Sequence, residues 1–311
     1  VETRVIPAIV GPTASGKSEL GIRLALALDG EIINLDSIQV YRRLSIATAK
    51  VPLSERQGVP HHLIDIVEPE ENFTAGDYAQ LAARTIADIE SRNRMAILVG
   101  GSGFYLRALV RPVFEGPKTD LKLRDRLSRI RDRRGPEHLH RMLSRLDPDS
   151  ASRISPRNWS RAMRALEVYF QTGHSISKLQ AHLPDPPSLA ARVRVIALSP
   201  PREDLYERIN ERADRMFELG LVEEVQSLMA SGIRSDAKAF GAHGYRRVVE
   251  HLEGKRSRLD ALNQMKLDTR HYAKRQLTWW RGWKDVCWIY RFGDDPQALD
   301  DALECPGLVR S

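Results

Sequence analysis

Residues 11–18 read GPTASGKS, with two glycines, a lysine and a hydroxyl at the spacing G-x-x-x-x-G-K-S. Gly11 and Gly16 let the chain turn so that successive backbone N–H groups point inward at an anion, and the whole stretch, Gly11, Pro12, Thr13, Ala14, Ser15, Gly16, Lys17 and Ser18, forms a phosphate cradle. Lys17 adds a mobile positive charge, and the Ser18 hydroxyl suits a magnesium ion. The apolar run VIPAIV precedes the loop and the amphipathic SELGIRLALAL follows it. That is the strand–loop–helix context the pattern needs, which a glycine-rich turn of chance composition lacks. Loops of this kind are typical of ATP-binding and other nucleotide-binding enzymes.

An enzyme that hydrolyses a nucleotide normally carries an acid at the end of a second strand to help hold magnesium. Here the run MAILV ends in GGSGFY. Small kinases also dispense with that acid, so a small-molecule or nucleotide kinase stands as an alternative. The carboxylate that does emerge at a strand end is Asp36, in IINLDSIQVY. A parallel sheet sets its C-terminal edge beside the phosphate loop, which makes Asp36 the candidate base. An aspartate that only closes a turn is the structural alternative.

The elements that must position these residues are apolar runs at 5–10, 31–35, 63–67, 95–99, 193–198 and 286–290, alternating with helical patterns. This is the signature of an α/β fold, a doubly wound parallel sheet carrying a P-loop. Between the fourth and fifth runs a helical, basic stretch closes in the turn-rich LPDPPS. The expected organisation is a core in two parts, residues 1–116 and 188–311, with an inserted helical subdomain over 117–187 that binds the polyanionic partner. Later helices are expected at 202–231, 245–253 and 258–280.

The 311 residues are 42% hydrophobic and 29% charged, with no apolar stretch long enough to span a bilayer and no leader at the start, so a soluble cytoplasmic enzyme is expected. Cys287 and Cys305 lack metal-ligand spacing and read as ordinary small apolar residues, not as a disulfide. The net charge of +7 is concentrated, with LRDRLSRIRDRR and RNWSRAMR in the helical stretch. Such clustering favours a polyanion over an evenly solvated basic surface.

GPTASGKS, NLDSIQVY, TAK at Thr48 to Lys50, GGSGFYL, LYERINERADRMFELGLVEEV and TRHYAKRQLTWWR, in this order, resemble the tRNA dimethylallyltransferase (tRNA isopentenyltransferase) family from Ala8 to about Arg281. The resemblance implies transfer of a dimethylallyl group from dimethylallyl diphosphate to the exocyclic amine of the adenine beside the tRNA anticodon, with Mg2+. Lys17 and the loop would hold the leaving diphosphate and Asp36 would accept the amine proton. Ser102, where the family has threonine, would meet the bridging oxygen, and Arg212 would lie near the diphosphate. By the same resemblance, the anticodon stem-loop is touched by Asp36, Ser37, Ile38 and Gln39, by Arg124, by Ser160, Arg161, Ala162, Met163 and Arg164, and by Phe240, Gly241, Ala242, His243, Gly244 and Tyr245. The chain departs from the family at Ala47, a usual glycine, and at Arg157, Asn158 and Arg161, where the arginine of an Asn-Asp-x-x-Arg pattern is kept and its acid is not.

Near the C-terminal end Arg270, Lys274, Arg275 and Arg281 interleave with Tyr272, Trp279, Trp280 and Trp283. These rings either stack on bases or pack into the core. A non-catalytic RNA-binding module is a further alternative, which the intact phosphate loop disfavours. A monomer without membrane contact is expected.

Overall fold

The computed structural model describes residues 4–112, 114, 116–181, 183 and 185–308. Strands β1 (Ile6–Val10), β2 (Gly30–Asn34), β3 (His61–His62), β4 (Met95–Val99), β5 (Val193–Leu198) and β6 (Val286–Ile289) form one sheet in the order β3-β2-β4-β1-β5-β6. Every pairing in it is parallel. All residues of β1 and β2 are buried, as in strands covered on both faces; β1 is apolar throughout, and β2 carries Glu31 and Asn34 among its apolar residues. Helices α1 (Lys17–Ala27), α2 (Ala75–Ser91) and α3 (Gly103–Val110) follow β1, β3 and β4. Thr74 and Asp77 open α2 with a reciprocal capping box.

The third strand differs from the apolar run at 63–67. Leu63 and Asp65 take positive φ, 60° and 55°, so the chain turns away there, and Val67 keeps only an isolated bridge to Tyr41. Pairing falls instead on His61 and His62, opposite Ile32 and Ile33. His62 Nε2 lies 2.7 Å from Glu31 Oε2, which also accepts from Arg92 at 2.8 Å, so the buried acid of β2 is satisfied from the edge.

The chain divides into two compact units, residues 1–110 with 187–311, and residues 111–186. The second unit holds α4 (Leu121–Arg134), α5 (Pro136–Leu146), α6 (Pro148–Arg153), α7 (Trp159–Thr172) and α8 (Ile176–Ala181). Its core joins Leu127, Leu139, Leu143, Ala162, Met163 and Leu166. Glu167 is fully buried there and accepts from Arg124 through both oxygens, at 2.5 and 2.9 Å. Arg164 approaches the same carboxylate at 3.6 Å.

After β5 come α9 (Arg202–Glu218), α10 (Leu221–Ala230), α11 (His243–Leu252) and α12 (Arg258–Arg281), then β6 and α13 (Ala298–Leu303). The helix expected over 202–231 is two helices, because Gly220 at φ 93° caps the second in a left-handed conformation. The cysteines also correct the sequence reading: α13 packs back on β6, and Cys287 and Cys305 form a disulfide with Cα atoms 6.0 Å apart. Eighteen residues separate them, a distance along the chain that only the tertiary fold closes. Trp280 is fully buried and Trp283 lies 5.9 Å from it, ring to ring, while the Trp279 Nε1 is buried without a partner against Gly103, so these tryptophans pack into the protein.

Removing one partner of a buried ion pair costs about 3–5 kcal/mol, less where a second cation remains and the lost one is 40% exposed, as Arg124 is. Arg124→Met is therefore expected to destabilise the helical unit by about 2 kcal/mol in urea unfolding. An unchanged midpoint would show that Arg124 is not a structural partner of Glu167.

Candidate active site

The site begins in strand register. β1 pairs with β4 at Ile9 and Val99, and β2 pairs with β4 at Asn34 and Val99, so the three strands end side by side. The segments leaving them, residues 11–16, 35–39 and 100–102, are stitched together by Gly100 N to Ile9 O at 3.1 Å and Leu35 N to Val99 O at 2.8 Å. A cavity of about 790 Å³ opens over these strand ends. Ile209, Arg212, Ala213 and Met216 of α9 line it at helical spacing, and so do Met265, Thr269, Tyr272 and Gln276 of α12. Residues 47–52 and 241–244 complete its walls.

Gly16 caps α1 at φ 82°, and no side chain caps that end. The first helical bond is Leu20 N to Gly16 O at 3.1 Å, which leaves the N–H groups of Lys17, Ser18 and Glu19 without an intrahelical acceptor. Ser15 Oγ is buried beside them with no hydrogen-bond partner among the described residues. Lys17 Nζ donates to Pro12 O at 2.6 Å. Burial lowers the Lys17 pKa from 10.5 to about 8, the negative charge of Asp36 opposes that shift, and Arg212 adds to it. Arg212 is likewise lowered by burial and supported by Asp36. Uncapped N–H groups, two cations and an orphaned hydroxyl around a single carboxylate make this end of the cavity an anion site.

Asp36 closes a turn and faces the cavity at once. Its Oδ1 accepts from Ile38 N at 2.8 Å and Gln39 N at 3.3 Å, while Oδ2 accepts no hydrogen bond among the described residues. Buried Asn34 holds the turn by exchanging backbone bonds with Asp36 at 3.1 Å and by donating to Leu63 O at 2.9 Å. Gln39 Nε2 donates to Thr48 O at 3.0 Å, and Lys50 Nζ bonds Tyr41 O, Leu44 O and Asp65 at 2.6 Å, which fixes the TAK segment.

The cavity therefore gathers residues 13–18, Asp36 to Gln39, Arg212 and residues 241–244. Ser102 is not among its lining residues: it is partly buried at the start of α3, one position beyond Gly101, with its N–H bonded to Leu35 O at 3.0 Å. Gly11 and Pro12 are buried beneath the loop. Arg124, Ser160, Arg161, Ala162, Met163 and Arg164 belong to the helical unit. Four of the residues expected to touch RNA have buried side chains. Ala162 and Met163 are core residues of that unit, and Phe240 and Tyr245 are no more than 2% exposed. Tyr245 instead donates to Glu224 at 2.6 Å, and Glu224 also holds the N–H groups of Ser45 and Ile46. Ser160 and Arg161 are exposed, whereas Arg164 is turned to Glu167 and Pro117 O.

Sequence reasoning missed Asn34 and Gln276. It also missed the chain after β6, where Gly293 N donates to Ser15 O at 2.9 Å and Arg208 holds Asp294 at 2.9 Å. The spacing of 265, 269, 272 and 276 on one helical face was the available signal for Gln276.

A family model described as IPP transferase matches residues 39–283. The chain belongs to the IPP transferase family. Among similar members, tRNA dimethylallyltransferases of Solibacter usitatus and Koribacter versatilis are 47% and 44% identical, over 96% and 95% of this chain and 96% of each relative. The crystal structure of the full-length tRNA isopentenylpyrophosphate transferase from Bacillus halodurans matches with a TM-score of 0.67 at 39% identity, over 93% of this chain and 90% of that one. A eukaryotic dimethylallyltransferase, whose crystallographic snapshots show it acting on tRNA, matches with a TM-score of 0.77 at 30% identity, over 96% of this chain and 76% of that one. Membership in the IPP transferases disfavours the kinase alternative.

Lys17 carries a strain that stability should report. Its folded pKa of about 8 lies below the ordinary 10.5, so between those values the unfolded chain binds more protons and wild-type stability rises with pH. A methionine at this position has no such dependence. Without ligand, Lys17→Met should melt a few degrees above wild type at pH 7, the gap closing towards pH 10.5. Coincident melting curves at pH 7 would show that the ammonium is not strained.

Proposed function

We propose that this chain transfers the dimethylallyl group of dimethylallyl diphosphate to the exocyclic amine of the adenine next to the anticodon of tRNA, releasing diphosphate. One observation carries this reading: the uncapped start of α1 with Lys17 and the free Oδ2 of Asp36 open into the same cavity. The names of the relatives give it independent support.

In the reaction the bond from carbon to the bridging oxygen breaks, and its electron pair leaves with the diphosphate. The amine nitrogen forms the new bond to that carbon and gives its proton to Asp36. The N–H groups at the start of α1, Lys17 and Arg212 stabilise the charge gathering on the diphosphate. Ser102, at the head of α3, is the proposed donor to the bridging oxygen. Holding both reactants in line contributes about 7–11 kcal/mol, more than any single hydrogen bond supplies. Turning the adenine out of its stack costs a few kcal/mol, offset by contacts in the cavity.

Among the described residues no three His, Cys, Asp or Glu side chains gather as a metal cluster. The Ser18 hydroxyl is the residue proposed to hold Mg2+ beside the diphosphate. Bound there, the ion would neutralise part of the leaving group's charge.

For RNA, the exposed arginines of the helical unit, Arg126, Arg129, Arg133, Arg157 and Arg161, are proposed phosphate contacts, together with His243, which lines the cavity, and Arg275, which approaches that histidine at 3.3 Å. Burial lowers the His243 pKa, so this ring presents its neutral form near pH 7. No helix among the described residues is long and apolar enough to cross a membrane. We propose, from its tRNA substrate, that the enzyme works in the cytoplasm.

Nucleoside mass spectrometry of unmodified tRNA incubated with the protein, magnesium and dimethylallyl diphosphate should reveal dimethylallyl-adenosine. Asp36→Asn should lower turnover by about 10²–10⁴-fold while inorganic pyrophosphate still binds. Consumption of ATP by the wild type with an acceptor, and no prenylated nucleoside, would establish the kinase reading instead.

A further inference from the structure

Gln276 lies on the cavity face of α12 and is 6% exposed. Its Oε1 accepts the N–H of Thr13, in the phosphate loop, at 2.9 Å. Its Nε2 donates to the carbonyl of Gly101, at the end of β4, at 3.0 Å. The two partners are leaving strands β1 and β4, whose paired register ends at Val99, so past the Gly100 N to Ile9 O bond this amide ties their loops to each other and to α12. The two ends of an amide are not interchangeable: reversed, it would set a donor against a donor and an acceptor against an acceptor. A Cβ built on Gly101 would overlap Gln276 Nε2, so the loop has been brought to its closest approach to this side chain.

The geometry points to Gln276 as a positioning residue that fixes the diphosphate loop against the Gly101–Ser102 segment. It takes the Thr13 N–H of the loop and leaves the N–H groups of Lys17, Ser18 and Glu19, which have no intrahelical acceptor, for the anion. The consequence for the reaction is alignment. Lys17 and the loop hold the far end of the leaving group, Ser102 follows Gly101 at the other side of the brace, and Tyr272, one turn before Gln276, lines the same wall. Losing the brace lets the loop and the Ser102 segment drift relative to each other. The penalty then falls on diphosphate binding and on turnover, and not on RNA affinity. The consequence for turnover rests on the prenyl-transfer reading; the consequence for the anion loop does not.

Two variants separate bracing from simple packing. Gln276→Leu keeps much of the volume and loses both bonds. Gln276→Glu differs by one group, and its protonated form is an isostere of glutamine whose C=O accepts from Thr13 and whose O–H donates to Gly101. Ionised, it faces the Gly101 carbonyl with no proton to offer. The titratable neighbours, Lys17 on α1, Asp36 after β2, Arg212 on α9, His243 on α11 and Tyr272 and Arg275 on α12, are common to all three proteins, so ratios to wild type cancel their contribution.

The experiment measures magnesium pyrophosphate affinity by calorimetry and dimethylallyl transfer to an anticodon stem-loop, between pH 6 and pH 8.5, with thermal melting as the check on folding. Expected are a tenfold or greater loss of pyrophosphate affinity and of kcat for Gln276→Leu, with the KM for RNA within twofold of wild type. For Gln276→Glu the same defect should appear at pH 8.5 and shrink severalfold at pH 6, while the ratio for Gln276→Leu stays flat. A folded Gln276→Leu protein with wild-type pyrophosphate affinity, or a pH-independent ratio for Gln276→Glu, overturns the proposal. Should Gln276→Leu fail to fold, the Glu variant decides alone. Wild-type protein that binds pyrophosphate yet transfers no dimethylallyl group would overturn the functional reading, and the affinity ratios would still judge the brace.

Discussion

Parallel pairing of β4 between β1 and β2 is the constraint on which the site depends. It ends three strands at one level, so the phosphate loop, the Asp36 turn and the Gly100–Ser102 segment must share a small space. Each is too short to fold by its own preferences. They are held by bonds to one another and by α9 and α12, which turn one face each to the cavity. Anion binding, the carboxylate and the cavity walls are therefore consequences of a register set by buried apolar strands, in which a slip of one residue would turn every side chain to the opposite face.

The electrostatics of the site are unfavourable in themselves. Lys17 and Arg212 are both pulled towards their neutral forms by burial, Ser15 Oγ has no partner among the described residues, and the start of α1 has no cap. An interior optimised for stability alone would satisfy or remove such groups. Their persistence around one loop is the mark of preorganisation: donors fixed before the ligand arrives need no reorganisation when negative charge develops. Asp36 is the counterweight. It supports both cations, and its Oδ1 is committed to the turn, so the oxygen left for chemistry is fixed in place.

Sequence shows what depends on contiguous residues. GPTASGKS lies in its loop and Asp36 at its strand end because motif and element coincide along the chain. The third strand lies earlier because the apolar run at 63–67 is broken by left-handed Leu63 and Asp65: the aspartate is a turn-prone type, but the leucine before it hides the break within an apolar pattern. Segments that resemble RNA-contacting stretches were read whole. Helix geometry divides them, sending Ala162, Met163, Phe240 and Tyr245 inward and leaving Ser160, Arg161 and His243 towards the surface or cavity. Gln276, Asn34 and the Cys287–Cys305 bridge depend on partners that only the folded chain brings near, 175 residues away in the case of Gly101 and Gln276.

The same distinction bears on how specificity is divided within the protein. The groups proposed to meet the diphosphate are backbone N–H groups and side chains of a loop that Gly293 and Gln276 hold through Ser15 and Thr13. The groups proposed to meet RNA are long, exposed arginines of a separate unit, whose contacts are individually weak, screened by salt and tolerant of exchange. Glu167 engages the guanidinium groups of Arg124 and Arg164, whose side chains stay 40% and 35% exposed, and so ties part of that basic set to the unit's core. Within one basic stretch, then, burial of a single acid decides which arginines are structure and which are surface. Charge counted along the sequence overstates the RNA-facing surface by the residues so engaged.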